Sequence, residues 1–409
     1  MNGARFVIVG GGMVAGYAVK QLVELGLKPG ELAILSADTS APYERPPLSK
    51  GFLAGKDTEE SVLINPEPFY REHGIELRLG CRVAGIDATH KRLSLQTGEA
   101  FTYERLILST GCRPRTLTVP GSELANVQYL RSLEDSRHIR QRTSELHRAA
   151  VIGGGFIAME VASVLAHQGV ETTMVMPEDR VWKRFFTPEM SRFFESYFSA
   201  RGVRFVKEVQ ITKLAGAGAV EAVQLADGRA IRCELVVAGI GAVPVTELAA
   251  QSGIEVTDGV VVNEYLETNV ADILAGGDIA NYPDLLFGKR RRVEHWDNAV
   301  TQAQHIAKTL MGERAPFKHV PYFFSDVFDL SYEFWGDPDG AGQIVHRGDL
   351  ASSSFSVWWL RDARAVAAFV MNRPNEERDV APQWIENHQS LKPKALADAS
   401  TPISTAAAS

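Results

Sequence analysis

Two glycine-rich segments carry the residue types best suited to chemistry in this sequence. Residues 10–15 read Gly-Gly-Gly-Met-Val-Ala, residues 153–158 read Gly-Gly-Gly-Phe-Ile-Ala, and each segment follows a short apolar run. The shared G-x-G-x-x-A spacing between a strand and a helix predicts a turn that binds the pyrophosphate of a dinucleotide. One copy would be a weak signal, whereas two copies indicate a chain that holds two dinucleotides and passes electrons between them.

Each position of this fingerprint has a physical purpose. The first glycine permits the tight turn, the second has no Cβ and lets the backbone approach the phosphates, and the third position stays small so that helix and strand pack closely. The helix N-terminus adds free N–H groups and the positive end of its dipole. The residues predicted to take these three roles are Gly10, Gly12 and Ala15 in the first copy and Gly153, Gly155 and Ala158 in the second.

An acidic residue follows the next predicted strand after each fingerprint. Asp38 comes after Leu32–Leu35, and Glu178 comes after Thr172–Met176. A carboxylate at this place binds ribose hydroxyls, and Glu178 favours NADH because it would repel the 2′-phosphate of NADPH. Three cations near Glu178 weaken this preference: Arg180, Lys183 and Arg184.

The elements that position these motifs read as an α/β protein. Helices are predicted over Met13–Gly26, Phe156–Gly169 and Asn298–Met311, between apolar strands. A further strand, residues 273–275, ends in Gly-Gly-Asp, and that aspartate, Asp278, could accept hydrogen bonds from polyol hydroxyls. From about Pro321 the period changes to two, which predicts a small α+β C-terminal domain.

Length and composition limit the classes of function. The 409 residues suffice for two or three domains, and 45% of them are hydrophobic, as in ordinary globular proteins. The formal net charge of −7 argues against a nucleic-acid binder. The sequence contains no apolar run of about 18 residues, so no membrane span is predicted. No signal-peptide pattern precedes the first strand, so a cytoplasmic location is expected.

The three cysteines lack the spacing of a redox pair or a zinc site. Cys81, Cys112 and Cys233 lie far apart, and no metal is expected. Cys81 and Cys233 lie in or beside strand-like segments and are expected to be buried, inert thiols. Cys112 follows a Thr-Gly turn, where a chance small residue is a simpler interpretation than a catalytic thiol.

Taken in order, the motifs over roughly residues 4–385 resemble the two-dinucleotide flavoprotein reductases of the pyridine nucleotide-disulfide oxidoreductase superfamily. The most similar groups are the ferredoxin (redoxin) reductases of bacterial oxygenase systems, monodehydroascorbate reductases and apoptosis-inducing-factor-like proteins. Besides the fingerprints, the resemblance rests on Pro-Tyr-Glu-Arg-Pro-Pro-Leu-Ser-Lys (42–50), Ser-Thr-Gly (109–111), Leu-Arg-Ser-Leu-Glu-Asp (130–135), Ala-Gly-Gly-Asp (275–278) and Val-Glu-His-Trp (293–296).

The resemblance implies two Rossmann-like dinucleotide-binding domains, for FAD and NAD, and a small α+β C-terminal domain. The implied boundaries are 1–115 and 245–318 for the FAD-binding domain, 116–244 for the NAD(P)H-binding domain and 319–390 for the C-terminal domain. Residues 391–409, rich in Ala, Ser and Thr, are expected to form a disordered tail.

The resemblance also assigns roles to individual residues. Arg45 and Arg131 would contact the adenine-side phosphates, Val83 would contact adenine through its backbone, and Asp278 would bind the ribityl chain. The implied FAD-binding residues are Gly10, Gly12, Ala15, Asp38, Arg45, Lys50, Val83, Thr110, Gly111, Arg131, Gly277, Asp278, Glu294, His295 and Trp296. The implied NADH-binding residues, with NADPH as a possible substitute, are Gly153, Gly155, Ile157, Glu178 and Gly241.

The catalytic assignment from the resemblance is a pair, Lys50 and Glu160. Lys50 would stand near flavin N5, and Glu160, from the second fingerprint helix, would hold it in place. A cation beside the ring favours the electron-rich reduced flavin, so the pairing makes chemical sense.

Two departures from related families bear on where the electrons go. Disulfide reductases carry a cysteine pair in the loop that is 42–50 here, and this loop has none. Monodehydroascorbate reductases place an arginine at the position of Asp326, to hold an anionic radical, and a tyrosine at that of Trp335. Redoxin reductases commonly have Ser-Asp at residues 325–326, which favours a protein acceptor.

The sequence therefore favours a ferredoxin–NAD⁺ reductase-like enzyme, monomer or homodimer, that passes electrons singly to a [2Fe-2S] ferredoxin or similar redoxin. A monodehydroascorbate- or quinone-type reductase and an NADH-sensing, apoptosis-inducing-factor-like protein remain alternatives. The basic run Lys289–Arg292 either steers an acidic ferredoxin or is an ordinary solvated loop.

Overall fold

The computed structural model describes residues 2–408 and divides the chain into two compact units. The first unit contains the chain up to Arg45, Glu59–Arg113 and Val243–Pro321. The second contains Pro46–Thr58, Pro114–Ala242 and the chain from Tyr322 onwards. The loop 46–58 thus groups with the second unit, a difference from the predicted FAD-binding segment 1–115.

The α-helices of the described residues are short to medium in length. They are α1 (Met13–Glu24), α2 (Glu67–Glu72), α3 (Leu133–Thr143), α4 (Phe156–His167), α5 (Pro188–Ser199), α6 (Glu247–Gln251), α7 (Trp296–Leu310), α8 (Asn375–Glu386) and α9 (Pro393–Ala397), with 3₁₀ turns at Pro46–Ser49, Gly277–Ile279 and Ile403–Ala406.

The strands are mostly brief. They are β1 (Asn2–Val9), β2 (Leu32–Leu35), β3 (Glu76–Arg78), β4 (Val83–Asp87), β5 (Arg92–Leu95), β6 (Ala100–Leu108), β7 (Cys112–Pro114), β8 (Val127–Gln128), β9 (Arg148–Ile152), β10 (Glu171–Val175), β11 (Val203–Val206), β12 (Ile211–Ala215), β13 (Ala222–Leu225), β14 (Ala230–Arg232), β15 (Leu235–Ala238), β16 (Ala242–Pro244), β17 (Val256–Thr257), β18 (Gly259–Val261), β19 (Ile273–Ala275), β20 (Ala280–Asp284), β21 (Lys289–Arg291), β22 (Tyr322–Val327), β23 (Leu330–Gly336), β24 (Gln343–Asp349), β25 (Ser354–Arg361) and β26 (Arg364–Met371).

The first unit is built around a seven-stranded sheet of order β3-β2-β1-β6-β5-β4, with β19 also paired to β6. The strands β3, β2, β1, β6 and β19 are parallel, and residues 6–9 of β1 are buried. Parallel strands covered on both faces read as continuous apolar runs, as this one does. Helices α1 and α7 pack together in this unit, so the helix that begins at the first fingerprint is covered by α7.

The second unit contains a parallel sheet of order β11-β10-β9-β15-β8 and an antiparallel sheet of order β22-β23-β26-β25-β24. Helix α4 packs on β9 and β10 and also contacts β22. The second fingerprint helix and the first strand of the C-terminal sheet are therefore direct neighbours.

Two predicted helices end earlier than their apolar pattern suggests. Helix α1 ends at Glu24 and α4 at His167, each two residues before the predicted glycine terminus. Gly26 and Gly169 have φ of 88° and 87°, the left-handed conformation that follows a helix rather than continues it.

The prediction of a disordered tail is wrong for residues 391–408. This segment contains α9 and a 3₁₀ turn, and Leu396, Ile403 and Ala406 are buried. The buried Arg347 guanidinium donates to backbone carbonyls of this segment, including Thr401 at 2.6 Å. The small-residue composition concealed these three apolar anchors; Ser409 lies outside the described residues.

No helix within residues 2–408 has the length and apolar character needed to cross a membrane.

Candidate functional site

The first fingerprint forms an open turn at the start of α1. Gly10 has φ of 119°, and a Cβ there would lie 2.3 Å from the carbonyl oxygen of Ser109. Gly12 is the N-cap residue and leaves the first N–H groups of the helix without a side-chain cap. The nearest atom to a Cβ at Gly12 would be the guanidinium of Arg45, 3.9 Å away. Free N–H groups, open space and a nearby cation fit the pyrophosphate of a dinucleotide.

The second fingerprint repeats this geometry in the second unit. Gly153 has φ of 116°, and its Cβ would lie 2.3 Å from the carbonyl oxygen of Gly239. A Cβ at Gly155 would meet nothing within 4 Å. Ala158 is buried and Gly239 lies close to it, so the third position is small because the neighbouring loop packs there.

The acidic residue after β2 is fixed in place by its own loop. The Asp38 carboxylate accepts hydrogen bonds from the Tyr43 hydroxyl at 2.8 Å and from the Ser40 amide at 3.0 Å. Arg45 lies over the ring of Tyr43, with 5.5 Å between its guanidinium carbon and the ring centroid. The loop therefore holds the carboxylate predicted to bind ribose and the cation predicted to bind phosphate against one tyrosine.

A contact that the sequence did not reveal joins this loop to α7. The indole N–H of Trp296 donates to Glu44 at 2.6 Å, and the Tyr17 hydroxyl donates to the other oxygen of Glu44. Burial and the Glu44 carboxylate raise the pKa of Tyr17. The available signal was Glu44 itself, an acid inside the 42–50 motif to which no role had been assigned. It fixes Trp296, which is the first residue of α7.

The basic run Lys289–Arg292 is engaged within the first unit, which favours a structural role over ferredoxin steering. Arg290 donates to the carbonyls of Val262 and Asn281 at 2.8 and 2.6 Å. Arg291 pairs with Asp284 at 2.9 Å. Arg292 is only 10% exposed and contacts Asp258, Glu294, the Asp278 carbonyl and the Cys112 thiol.

The thiols differ from one another in burial. Cys233 is buried, which raises its pKa to about 12, whereas Cys81 is partly exposed rather than buried as expected. Cys112 is buried beside Arg292. Within residues 2–408 no three His, Cys, Asp or Glu side chains converge as metal ligands.

The predicted pair of Lys50 and Glu160 forms in the second unit. The Lys50 ammonium lies 2.9 Å from the Glu160 carboxylate, which is buried on α4. Two hydroxyls absent from the prediction, those of Ser49 and Ser325, donate to the same carboxylate. The 3₁₀ turn that precedes Lys50 is itself held by a 2.6 Å hydrogen bond from Ser136 to the Leu48 carbonyl.

A cavity of about 370 Å³ lies in the second unit at the carboxyl ends of its parallel strands. Its lining includes Ile152, Met176, Ile240 and Arg115. In open α/β sheets the cofactor binds at this edge, so the cavity fits the adenosine part of a nicotinamide dinucleotide.

The cations next to Glu178 are bound by a residue that the sequence did not single out. Arg180 and Lys183 both pair with Asp179, at 3.1 and 2.8 Å. The Lys183 hydrogen bond lowers the pKa of Asp179. Glu178 is exposed, and two of the three cations near it have Asp179 as their acidic partner.

The remaining predicted residues are distributed over both units. In the first unit, Val83 begins β4, the Thr110 hydroxyl donates to the Val245 carbonyl, and Gly111, Gly277, Asp278, Glu294 and His295 lie in turns at strand or helix ends. In the second unit, Arg131 precedes α3, the Ile157 side chain is exposed, and Gly241 lies in an open turn with positive φ.

Comparison with known proteins agrees with this geometry. The family model described as pyridine nucleotide-disulphide oxidoreductase matches residues 4–303, and the model described as reductase C-terminal matches residues 322–407. Peroxisomal monodehydroascorbate reductase 4 of Arabidopsis thaliana is 38% identical over 414 residues, covering 96% of this chain and 83% of that protein.

Two solved structures share the fold. The ferredoxin reductase for the CYP199A2 system from Rhodopseudomonas palustris has a TM-score of 0.94 and 34% identity, covering 99% of this chain and 100% of that one. The covalent putidaredoxin reductase–putidaredoxin complex also gives a TM-score of 0.94 and 34% identity, covering 98% of this chain and 97% of that chain. These matches confirm the predicted α/β fold class with its separate C-terminal region.

Proposed function

The chain belongs to the pyridine nucleotide-disulphide oxidoreductase family and is an FAD-dependent pyridine nucleotide oxidoreductase, and we propose that it carries electrons from NADH to a ferredoxin-type iron–sulfur protein. When bound, FAD supplies the chemistry that links a two-electron donor to a one-electron acceptor. The protein supplies the binding sites, the orientation and the electrostatic environment.

The residues of this chain divide that work between the two fingerprints. The turn at Gly10 and Gly12 would hold FAD. Arg45 lies next to Gly12, and Asp38 and Arg45 both contact Tyr43. The turn at Gly153 and Gly155 would hold NADH. Lys50 would present its ammonium to the flavin, as the resemblance implies, with Glu160 holding it.

The proposal that the electron acceptor is a protein rests on Asp326, a residue of the C-terminal sheet. Asp326 is exposed on β22 of the C-terminal sheet. An anionic small molecule such as ascorbyl radical would need a cation there, and a carboxylate repels it. The solved redoxin reductase–redoxin complex with the same fold supports a redoxin as the acceptor. The partner is proposed as a [2Fe-2S] ferredoxin or similar redoxin.

A monodehydroascorbate reductase activity is the second candidate, favoured by the 38% identity to the plant enzyme. Stopped-flow mixing separates the two. The protein is reduced with NADH or NADPH and then mixed with a [2Fe-2S] ferredoxin or with ascorbyl radical.

We expect rapid reoxidation by ferredoxin and slow reoxidation by the radical. The Asp326→Arg variant should reverse that order, while Asp379→Arg, which changes an exposed acid on α8, serves as the charge-matched control. Faster reoxidation of the unaltered protein by the radical would overturn the proposal. Slow reoxidation by every acceptor would instead favour an NADH-sensing role.

A further inference from the structure

The Glu160 carboxylate receives more hydrogen bonds than the ion pair with Lys50 supplies. Its Oε1 atom accepts from the Lys50 ammonium at 2.9 Å and from the Ser325 hydroxyl at 2.6 Å. Its Oε2 atom accepts from the Ser49 hydroxyl. Glu160 is 3% exposed, so these groups replace the water that would otherwise solvate the charge.

The donors come from separate parts of the chain. Ser49 and Lys50 lie at the end of one 3₁₀ turn, whereas Ser325 lies on β22 of the C-terminal sheet. Ser325 is fully buried, with 0% exposure, and shares with Lys50 a single carboxylate oxygen. The C-terminal sheet therefore reaches the lysine in two ways. The Ser325 hydroxyl acts through Glu160, and the Phe324 ring lies with its centroid 5.4 Å from the Lys50 ammonium.

The shared oxygen limits where the ammonium can lie. The terminal torsion of a glutamate side chain is broad, so a carboxylate held at one end can still rotate. Donors on both oxygens restrict that rotation and fix the point at which Lys50 is bound. A lysine on a flexible four-carbon stem takes its position from its partner.

We propose that Ser325 is a positioning residue whose hydroxyl fixes the Glu160 carboxylate and thereby the Lys50 ammonium. The inference rests on the proposed placement of Lys50 beside the flavin and is independent of the identity of the acceptor.

The test compares two serines that make the same bond in the same sheet. Ser325→Ala removes a 2.6 Å hydroxyl–carboxylate hydrogen bond to Glu160, and Ser356→Ala removes a 2.6 Å hydroxyl–carboxylate hydrogen bond to Glu377. Both serines are 0% exposed. Each holoprotein is mixed with NADH alone, and the limiting rate constant of flavin reduction, the half-saturating NADH concentration and the equilibrium midpoint potential are measured.

We expect Ser325→Ala to lower the limiting rate constant about tenfold, because small misplacements of a reacting constellation are costly. Its midpoint potential should become more negative, since a loosely held cation stabilises reduced flavin less. Half-saturating NADH should stay unchanged. Ser356→Ala should leave all three quantities as in the unaltered protein. An unaltered rate constant and potential in Ser325→Ala, or equal losses in both variants, would overturn the proposal.

A Lys50→Met background separates positioning from simple damage. There Ser325→Ala should have no further effect on rate or potential, because the hydroxyl acts through the lysine; an additional loss of the original size would contradict the proposal. If Ser325→Ala does not retain FAD, Ser49→Ala removes the hydroxyl on the other oxygen and is judged by the same criteria. Every measurement omits the acceptor. A failure to reduce ferredoxin would therefore contradict the proposed function without contradicting this inference.

Discussion

Two buried glutamates of the second unit accept similar hydrogen bonds but have different roles. Glu160 and Glu377 are 3% and 1% exposed, and each accepts a hydrogen bond from a buried serine of the C-terminal sheet. The difference lies in the cations. Glu160 is paired with a lysine, whereas Glu377 is paired with two arginines, Arg347 at 2.8 Å and Arg373 at 2.7 Å.

The choice of cation decides what the carboxylate can do. An arginine has five donors in a rigid fork, stays charged, and can bind several acceptors at once. Arg347 does this, since it donates to Glu377 and to the carbonyls of Leu396 and Thr401. A lysine is a compact charge on a flexible stem, so Lys50, 16% exposed, can be aimed by its partner. One carboxylate anchors the fold and the other directs a charge.

Removing Glu377 should produce the largest effect. Glu377→Ala leaves Arg347 buried without its counter-charge, so we expect a loss of about 3–5 kcal/mol in the free energy of unfolding. The rate of flavin reduction per bound FAD should be retained, because Glu377 hydrogen-bonds Arg347, Ser356 and Arg373 rather than Lys50. Urea denaturation and stopped-flow reduction by NADH measure the two quantities. A stable variant would show that this network is not an anchor.

Removing Lys50 should give the opposite pattern. Lys50→Met is expected to lower the limiting rate of flavin reduction about a hundredfold, in the range that misplaced catalytic groups produce. Some stability should also be lost, because Glu160 is left buried without its counter-charge. The loss should be smaller than in Glu377→Ala, since two serines still donate to Glu160, whereas Glu377→Ala removes the partner of two arginines. A large fall in the unfolding free energy with an unchanged rate would abolish the distinction between the two glutamates.

Low pH should reduce the free energy of unfolding more in the unaltered protein than in a variant that lacks the Glu377 charge. Although burial opposes ionisation, hydrogen bonds from Arg373, Ser356 and Arg347 hold the pKa of Glu377 below its ordinary value of 4.5. A lowered folded pKa gives stability that is fully present above the unfolded value and is lost as the pH falls through the folded one. Plots of unfolding free energy against pH should therefore fall more steeply below about pH 4.5 in the unaltered protein than in Glu377→Gln.

Asp179 is an exposed counterpart of these buried carboxylates and should give the smallest effect. It holds Arg180 and Lys183 at the solvent-facing edge of the second unit. Asp179→Ala should release both cations toward a 2′-phosphate and raise kcat/KM for NADPH relative to NADH by about two- to fivefold, because ion pairs between exposed groups are weak. Asp227→Ala removes an equally exposed partner of Arg229 and should leave the coenzyme ratio unchanged.

The sequence predicted the parts of the site that depend on local geometry. Both fingerprints could be read because the turn needs glycine at fixed spacing, and Asp38 and Glu178 followed from their place after a strand. The pair of Lys50 and Glu160 came through the family resemblance.

The contacts that were missed join residues far apart in sequence. Ser325 and Glu160 are 165 positions apart, and Trp296 and Glu44 are 252 apart. A serine or a glutamate in such a position has no local signature, since its partner is set only when sheets and helices pack. The wrong prediction for the tail has the same origin, because the carbonyls that bind Arg347 carry no side-chain signal.

Neither fingerprint turn can accept a side chain at its first glycine, so each turn can be disrupted independently of the other. In each, the first glycine lies against a carbonyl of the loop after the neighbouring strand, Ser109 for Gly10 and Gly239 for Gly153. A methyl group at either position closes its own turn and leaves the other untouched. Under the proposed assignment of FAD to the first turn and NADH to the second, substitution of Gly10 would yield a colourless protein, whereas substitution of Gly153 would yield a yellow protein that keeps its flavin and is not reduced by NADH. With the proposed redoxin as acceptor, the second kind of variant would still bind the redoxin and would compete for it with the unaltered enzyme, whereas the first kind would lack the flavin altogether.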